Sequence, residues 1–414
     1  MRVLRGSCAL VGVATLVLLS SLACALNNGA SPNPIRGIST WCVDSSPSMF
    51  SDNCGADICN ETMIQTMAQG LIHSGMKEAG YDLVLLDDCW AGPSRDSEGN
   101  LQANVTEFPN GMKPVVDYVH SLGLKLGLYT CAGKYVCTGK SPGSLDHYDQ
   151  DMALFASWGV DYVKMDWCYS GLRLPEVQYH ELEVAQNKTG RTMWLEMCEW
   201  GILYPWTFGR SRANSARTTT DHHDQWSGSA HGTKEIIEHS AFYEVWKFSG
   251  CDGSDCFWNY LDVLMTGLGD QTSTEYQTEF SFWAFLNSPL IVASDVRNMS
   301  DLQRTILLNE DLLNINHDPL HEEGHRLYKI SEDLEVWGRN LFNGDVAVIL
   351  FNKGDDPTQD LTVDFSRAFG WPANQPALVR DCWGLVDLGL FKGSFTWKGV
   401  TPPHGVRVLR ISKQ

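Results

Sequence analysis

Leu83-Val84-Leu85-Leu86 is apolar without interruption and ends in Asp87-Asp88. A strand that reads this way is buried on both faces, which is the condition of a parallel sheet covered by helices. The pattern recurs. Leu124 to Tyr129, Tyr162 to Met165, Trp194 to Met197 and Leu290 to Val292 are further runs of this kind. Helical spacing separates them, as in Met63, Ile64, Met67, Leu71 and Ile72, in Asp149 to Trp158, and in Phe280, Phe282, Trp283 and Phe285. Six or more such units favour a (β/α)8 barrel over an open doubly wound sheet.

The ends of the runs support the barrel. Trp41, Asp87-Asp88, Tyr129, Lys164 to Asp166 and Glu199-Trp200 each follow or close a separate run. Helix capping accounts for any one aspartate there, but not for five strands ending in carboxylates and aromatics. In a barrel those ends converge on the face where an active site is built.

The register changes after about residue 322. Leu334-Val336, Val346-Val348-Leu350, Leu361-Val363-Phe365, Phe395-Trp397 and Val406-Val408 alternate with polar neighbours, with turn signals at Asn343-Gly344 and Lys398-Gly399. Period-two alternation predicts an antiparallel β-sandwich domain over residues 323–414, after a barrel over residues 26–322. Before the barrel, Arg2 and Arg5 precede an apolar stretch from Ala9 to Leu22, and Ala23-Cys24-Ala25 has a small-x-small pattern. Residues 1–25 therefore read as a secretory signal peptide. The expected route is the secretory pathway, to the exterior or to a lysosome or vacuole.

Formal net charge is −19, which disfavours nucleic acid and anionic membranes as partners. A neutral substrate fits better, and fifteen tryptophans suit the apolar faces of sugar rings. Of thirteen cysteines, Cys8 and Cys24 fall within the leader. An odd number remains, so at least one thiol stays outside any intrachain disulfide. Asn60, Asn104, Asn187 and Asn298 open glycosylation sequons. His222-His223 beside Asp221 and Asp224 is no metal site on this reading, because adjacent side chains on an extended segment point opposite ways. No cofactor is implied.

Asp87-Asp88-Cys89-Trp90, Pro142-Gly143-Ser144, Phe155 to Tyr162, Val163-Lys164-Met165-Asp166-Trp167-Cys168, Cys198-Glu199-Trp200-Gly201, and Arg217 to Asp221 with Asp224 and Trp226 occur in this order. Together with Val379-Arg380-Asp381 and His404-Gly405, they resemble the family 27 glycoside hydrolases, which comprise α-galactosidases and α-N-acetylgalactosaminidases. The resemblance implies a retaining exo-glycosidase that removes terminal α-galactose. It implies Asp166 as nucleophile and Asp221 as acid/base. It also implies that Asp87 and Asp88 hold the 4- and 6-hydroxyls, that Lys164 holds a hydroxyl, and that Trp41 packs on the sugar. Tyr129, Trp200 and Asp262 would line the pocket, with Arg217 and Glu199 near carbon 2. Glu199 and Ile202 stand where galactose-restricted members carry glutamate and a larger aliphatic residue. Among cysteines, the resemblance pairs Cys137 with Cys168. Cys251 and Cys256 read as a short-loop pair, Cys89 pairs with one of Cys42, Cys54 or Cys59, and Cys198 and Cys382 look free.

Glycoside cleavage needs one carboxylate ionised and one protonated, about 5–5.5 Å apart in a retaining enzyme. Lys164 beside Asp166 is expected to keep the nucleophile ionised, and Asp224, His222 and His223 to surround Asp221. The chain departs from the family at Gly37-Ile38-Ser39-Thr40-Trp41, at Tyr260-Leu261 before Asp262, and at Cys131. The competing readings are α-N-acetylgalactosaminidase, a galactosyl-transferring enzyme, β-L-arabinopyranosidase and a non-catalytic glycan binder. The sequence leaves the oligomeric state, monomer or homodimer, open.

Overall fold

The computed structural model describes residues 28–30, 32–43, 54, 59–228, 230–252 and 255–414, and the leader expected over residues 1–25 lies outside them. The first sheet takes β1 (Arg36–Ser39), β2 (Leu83–Leu86), β3 (Lys125–Cys131), β4 (Tyr162–Asp166), β5 (Trp194–Cys198), β6 (Ser215–Arg217), β7 (Gly250–Asp252), β8 (Asp255–Tyr260) and β9 (Leu290–Val292). Its order is β7-β8-β6-β5-β4-β3-β2-β1-β9. Every pairing is parallel except β7 with β8, which form a hairpin. A parallel bridge between Leu264, just beyond β8, and Val292 joins the two ends. The sheet thereby closes into the expected barrel.

The continuous apolar runs became strands because both faces are covered: all four residues of β2 and all five of β5 are buried. Helices α1 (Glu61–His73), α2 (Met112–Ser121), α3 (Tyr148–Trp158), α4 (Pro175–Lys188), α5 (Thr233–Phe242) and α6 (Ser273–Phe285) follow successive strands or loops. Asn60 caps α1 by accepting from Met63 N at 2.9 Å. A reciprocal Thr272–Glu275 box opens α6. Short helices α7 (Asp301–Leu307) and α8 (Glu310–Asn316) lead out of the barrel.

The remaining chain is antiparallel. Strands β10 (His325–Lys329), β11 (Leu334–Asn340), β12 (Val346–Asn352), β14 (Pro376–Asp381), β15 (Val386–Lys392) and β17 (Val406–Lys413) form a six-stranded sheet, and β13 (Thr358–Asp364) pairs with β16 (Ser394–Thr401). Val336, Val348, Leu361, Val363 and Phe395 share the core between these sheets. Phe365, expected at the end of a strand, instead begins a one-turn helix (Phe365–Phe369). Asp364 accepts from Ser366 N and Arg367 N, which satisfies the exposed donors of a helix start and stops the strand.

Alternation fails in one informative place. All of β12 is buried. Val346, Val348 and Leu350 face the sandwich core, whereas Ala347, Ile349 and Phe351 join the core of the barrel. Their partner is α6, where every residue from Tyr276 to Phe285 except Gln277 is buried. Phe282 packs edge-on against both Trp337 and Phe351, at 5.0 and 4.9 Å between ring centres. A helix buried on nearly every side needs cover on every side, and the second domain supplies part of it. Phe282→Ala should therefore cost about 3–5 kcal/mol and lower the calorimetric unfolding midpoint by several degrees. The same change at exposed Phe342 should leave the midpoint nearly unmoved.

Candidate active site

The strand ends meet around one cavity, lined by Trp41, Asp87, Asp88, Tyr129, Lys164, Asp166, Trp200, Arg217, Asp221 and Asp262, among others. Ten residues singled out from the sequence therefore lie together. Glu199 and Ile202 are not among the lining residues. Glu199 is buried beside the cavity, and Ile202 is 42% exposed.

Lys164 and Asp166 sit two apart on β4, so both point inward. Lys164 Nζ lies 2.8 Å from Asp87 Oδ2 and close to the rings of Trp41 and Tyr129, at 5.7 and 5.5 Å. Asp87 N donates to Thr40 Oγ1 at 3.0 Å, and Asp88 N donates to Asp87 Oδ1 at 2.9 Å. Asp88 Oδ2 receives Thr138 N at 3.3 Å. Burial pushes the Asp88 carboxyl up to about 6.

Two donors fix Asp166. Tyr129 Oη reaches Oδ2 at 3.0 Å, and Trp167 N reaches Oδ1 at 2.8 Å. The sulfurs of the Cys137–Cys168 disulfide stand within 4.8 Å of the same carboxylate. Gly133 permits this approach, because a Cβ there would lie 1.8 Å from Cys168 O. The expectation that Lys164 keeps Asp166 ionised needs correction. Burial dominates and raises Asp166 to about 7; Lys164 opposes the rise and Asp221 adds to it. Lys164 spends its direct contact on Asp87.

Arg217, at the end of β6, is buried and joins two carboxylates. One guanidinium nitrogen lies 3.1 Å from Asp221 Oδ1 and 2.9 Å from Asp262 Oδ2. Asp262 also accepts His222 N at 2.8 Å. The side chain of Asp221 is 52% exposed, toward the cavity mouth. Of the neighbours expected around it, His222 and His223 line the same cavity, but the side chains of His222 and Asp224 are bonded elsewhere. The His222 ring meets Val263 O and Thr233 Oγ1 at 3.0 and 2.9 Å, and Asp224 accepts from Tyr276 Oη at 2.8 Å.

Beside the cavity, Gly201 has φ +79, and a Cβ on it would lie 2.3 Å from Thr218 O. The loop after β5 is thus locked to the loop after β6. Glu199 is carried there with both carboxyl oxygens buried and unpartnered, and burial pushes it up to about 9. Glu196, inward on β5, donates nothing but accepts from Tyr162 Oη, and burial pushes it up to about 7. The sequence reading passed over Glu196, although a carboxylate inside an apolar run was a visible signal. It also missed Thr138, which contributes a backbone N–H that no side-chain pattern reveals.

The disulfides are Cys42–Cys54, Cys59–Cys89, Cys137–Cys168 and Cys251–Cys256. Cys59 is therefore the partner of Cys89, and Cys131, Cys198 and Cys382 are free. Asn187 and Asn298 are exposed, and Asn60 and Asn104 are partly so. No helix among the described residues is long and apolar enough to cross a membrane.

Known proteins share this arrangement. The family described as Alpha galactosidase A matches residues 46–318, and its C-terminal β-sandwich domain matches residues 331–411. A probable α-galactosidase of Dictyostelium discoideum is 38% identical over 96% of this chain and 98% of its own. The α-galactosidase of Cyamopsis tetragonoloba is 38% identical over 89% and 84%. The crystal structure of α-galactosidase I from Mortierella vinacea superposes with a TM-score of 0.83 at 32% identity, covering 93% of this chain and 98% of that one.

The buried acids set the pH dependence of stability. Glu199 near 9, Glu279 and Glu323 near 8, and Asp166 and Glu196 near 7 all bind protons more tightly folded than unfolded. The native state then holds the extra protons between roughly pH 9 and 4.5, and stability rises as pH falls through the upper part of that window. His222 and His317, lowered to about 3, and His239, lowered to about 4, are held neutral by burial. Below about pH 6.5 the unfolded chain binds more protons at these sites, which offsets the gain. Thermal unfolding should show midpoints climbing from about pH 8.5 to 6.5 and then levelling toward pH 5. A continuous rise with increasing pH would contradict the burial of these carboxyls.

Proposed function

Because the chain belongs to the alpha galactosidase A family, we propose that it hydrolyses terminal α-galactosides with retention, Asp166 acting as nucleophile and Asp221 as acid/base. One observation carries the assignment. A buried carboxylate held by two donors shares a cavity with a second, solvent-reaching carboxylate anchored by a buried arginine.

In the first step Asp166 attacks the anomeric carbon, the bond to the leaving oxygen breaks, and Asp221 gives that oxygen its proton. Water then loses a proton to Asp221 and cleaves the galactosyl ester, freeing galactose and Asp166. Tyr129 Oη and Trp167 N aim the Asp166 carboxylate and stabilise its charge. Burial acts against that charge. Formation of a neutral ester discharges it, so the desolvation cost is relieved as the covalent bond forms. Arg217 orients Asp221, whose exposure gives access to leaving groups and to water.

The Asp87–Lys164 pair and Asp88 offer charged hydrogen-bond partners to the 4- and 6-hydroxyls, with Trp41 against the apolar face of the ring. The preference at carbon 2 rests on the resemblance, which sets Glu199 on that side of the sugar; here Glu199 is buried behind the lining and leaves no opening for an acetamido group. Preference for galactose over N-acetylgalactosamine should exceed about 100-fold in kcat/KM. The secretory pathway, with glycans on Asn60, Asn104, Asn187 and Asn298, suits a chain with four disulfides.

A 2-deoxy-2-fluoro sugar of galacto configuration should label the peptide containing Asp166, and Asp166→Asn should lower turnover by about 10³ or more. Label on another carboxylate would remove the assignment. Nitrophenyl α-galactoside and α-N-acetylgalactosaminide, cleaved with comparable kcat/KM, would overturn the sugar preference.

A further inference from the structure

His404 belongs to the C-terminal domain, between β16 and β17, yet its contacts lead back to the barrel. Its Nδ1 lies 2.6 Å from Glu275 Oε1 on α6, and its Nε2 lies 2.9 Å from Asp355 Oδ1. Both ring nitrogens thus face carboxylate oxygens, and the imidazole is clasped between α6 and the loop that carries Asp355. Its backbone carbonyl also accepts from Thr278 Oγ1 at 2.6 Å. The ring face lies parallel to Trp226, at 4.5 Å between centres and 13° between planes. Phe351 of β12 meets the same indole edge-on at 6.2 Å. Trp226 is thus held between two residues of the second domain.

Trp226 ends the segment that starts with Asp221. Between them, Asp224 accepts from Tyr276 Oη at 2.8 Å and from Asp270 N at 2.8 Å. Tyr276 is the neighbour of Glu275, so one turn of α6 holds both the clasp and the segment. Beyond Trp226, α5 is tied to the same domain through Glu238, which pairs with Lys353 and with Arg326 at 3.5 Å. Asp221 itself is confined far less. Its half-exposed side chain meets Arg217, and its carbonyl meets His231 Nδ1 at 2.7 Å. The placement of this carboxyl therefore depends on how firmly the rest of its segment is held.

We propose that the C-terminal domain takes part in catalysis by fixing the Asp221 segment, with His404 as a positioning residue that acts through Trp226. The alternating strands of that domain point to no chemical role. The structure gives it a grip on the proton-donating loop. The inference rests on Asp221 being the acid/base.

Leaving-group dependence tests it. An acid that is present but displaced harms substrates that need protonation and spares those that do not. His404→Ala should lower kcat on an α-galactosyl disaccharide by about tenfold or more, and on dinitrophenyl α-galactoside by less than about threefold. The inhibition constant of galactose should stay unchanged, since the galactose pocket is untouched. His404→Gln keeps a neutral donor toward Glu275, should show the same bias more weakly, and carries the test if the alanine variant fails to fold. Equal losses on both substrates, or unchanged kinetics with a lowered melting point alone, would mean that the clasp is merely structural. Asp221→Ala is assayed alongside. If it lacks the bias, the acid/base assignment itself fails. If it shows the bias and the His404 variants do not, the coupling between domains is what fails.

Discussion

Two buried cations organise the catalytic face. Lys164 is set on β4 and Arg217 on β6, and Asp87, Asp221 and Asp262 are in direct contact with one or the other. An unpaired charge at such depth is strongly disfavoured, and so is an unpaired carboxylate. Each therefore fixes the other. The arrangement is available because a closed parallel barrel directs the C-terminal ends of its strands toward one axis. Asp166 is not part of these pairs; its carboxylate is held by Tyr129 and a backbone N–H. Burial opposes that charge, which the proposed ester-forming step would discharge.

The wall of the cavity is built by other means. Gly133 and Gly201 let neighbouring loops touch backbone to backbone, and disulfides tie the loop after β1 to the loop after β2 and the loop after β3 to the loop after β4. The loop after β3 adds only a short antiparallel bridge, Tyr135 with Pro142. Close backbone contact and covalent links take the place of strands, so the cavity keeps its shape where regular structure ends.

The barrel was legible because burial on both faces leaves a mark that needs no partner to read. Leu83–Leu86 is apolar throughout, Trp194–Cys198 is apolar but for Glu196, and both became strands. Ser215–Arg217 carries no such mark, being three residues long with a charge at its end, and its place is fixed by pairing with β5 and β8. The site residues were legible as types at strand ends, but their electrostatics were not. Proximity in sequence suggested that Lys164 sets the charge of Asp166 and that His222, His223 and Asp224 surround Asp221. In three dimensions Lys164 turns to Asp87, and His222 and Asp224 turn to Thr233 and Tyr276. The second domain was legible as alternating strands, but its second buried face was not, because α6 covers β12 from a distant part of the chain. The choice among Cys42, Cys54 and Cys59 likewise depended on loop geometry that spacing does not encode.

The Cys137–Cys168 link stands against the Asp166 carboxylate, and Cys54 also reaches the cavity wall. Among the described residues, three of the four disulfides are placed in the loops around the reaction centre, and Cys42, Cys54 and Cys59 belong to the barrel core as well. Reduction of these links would therefore free the walls of the pocket and loosen the barrel core together, so the shape of the reaction centre and the stability of its scaffold share one set of covalent ties.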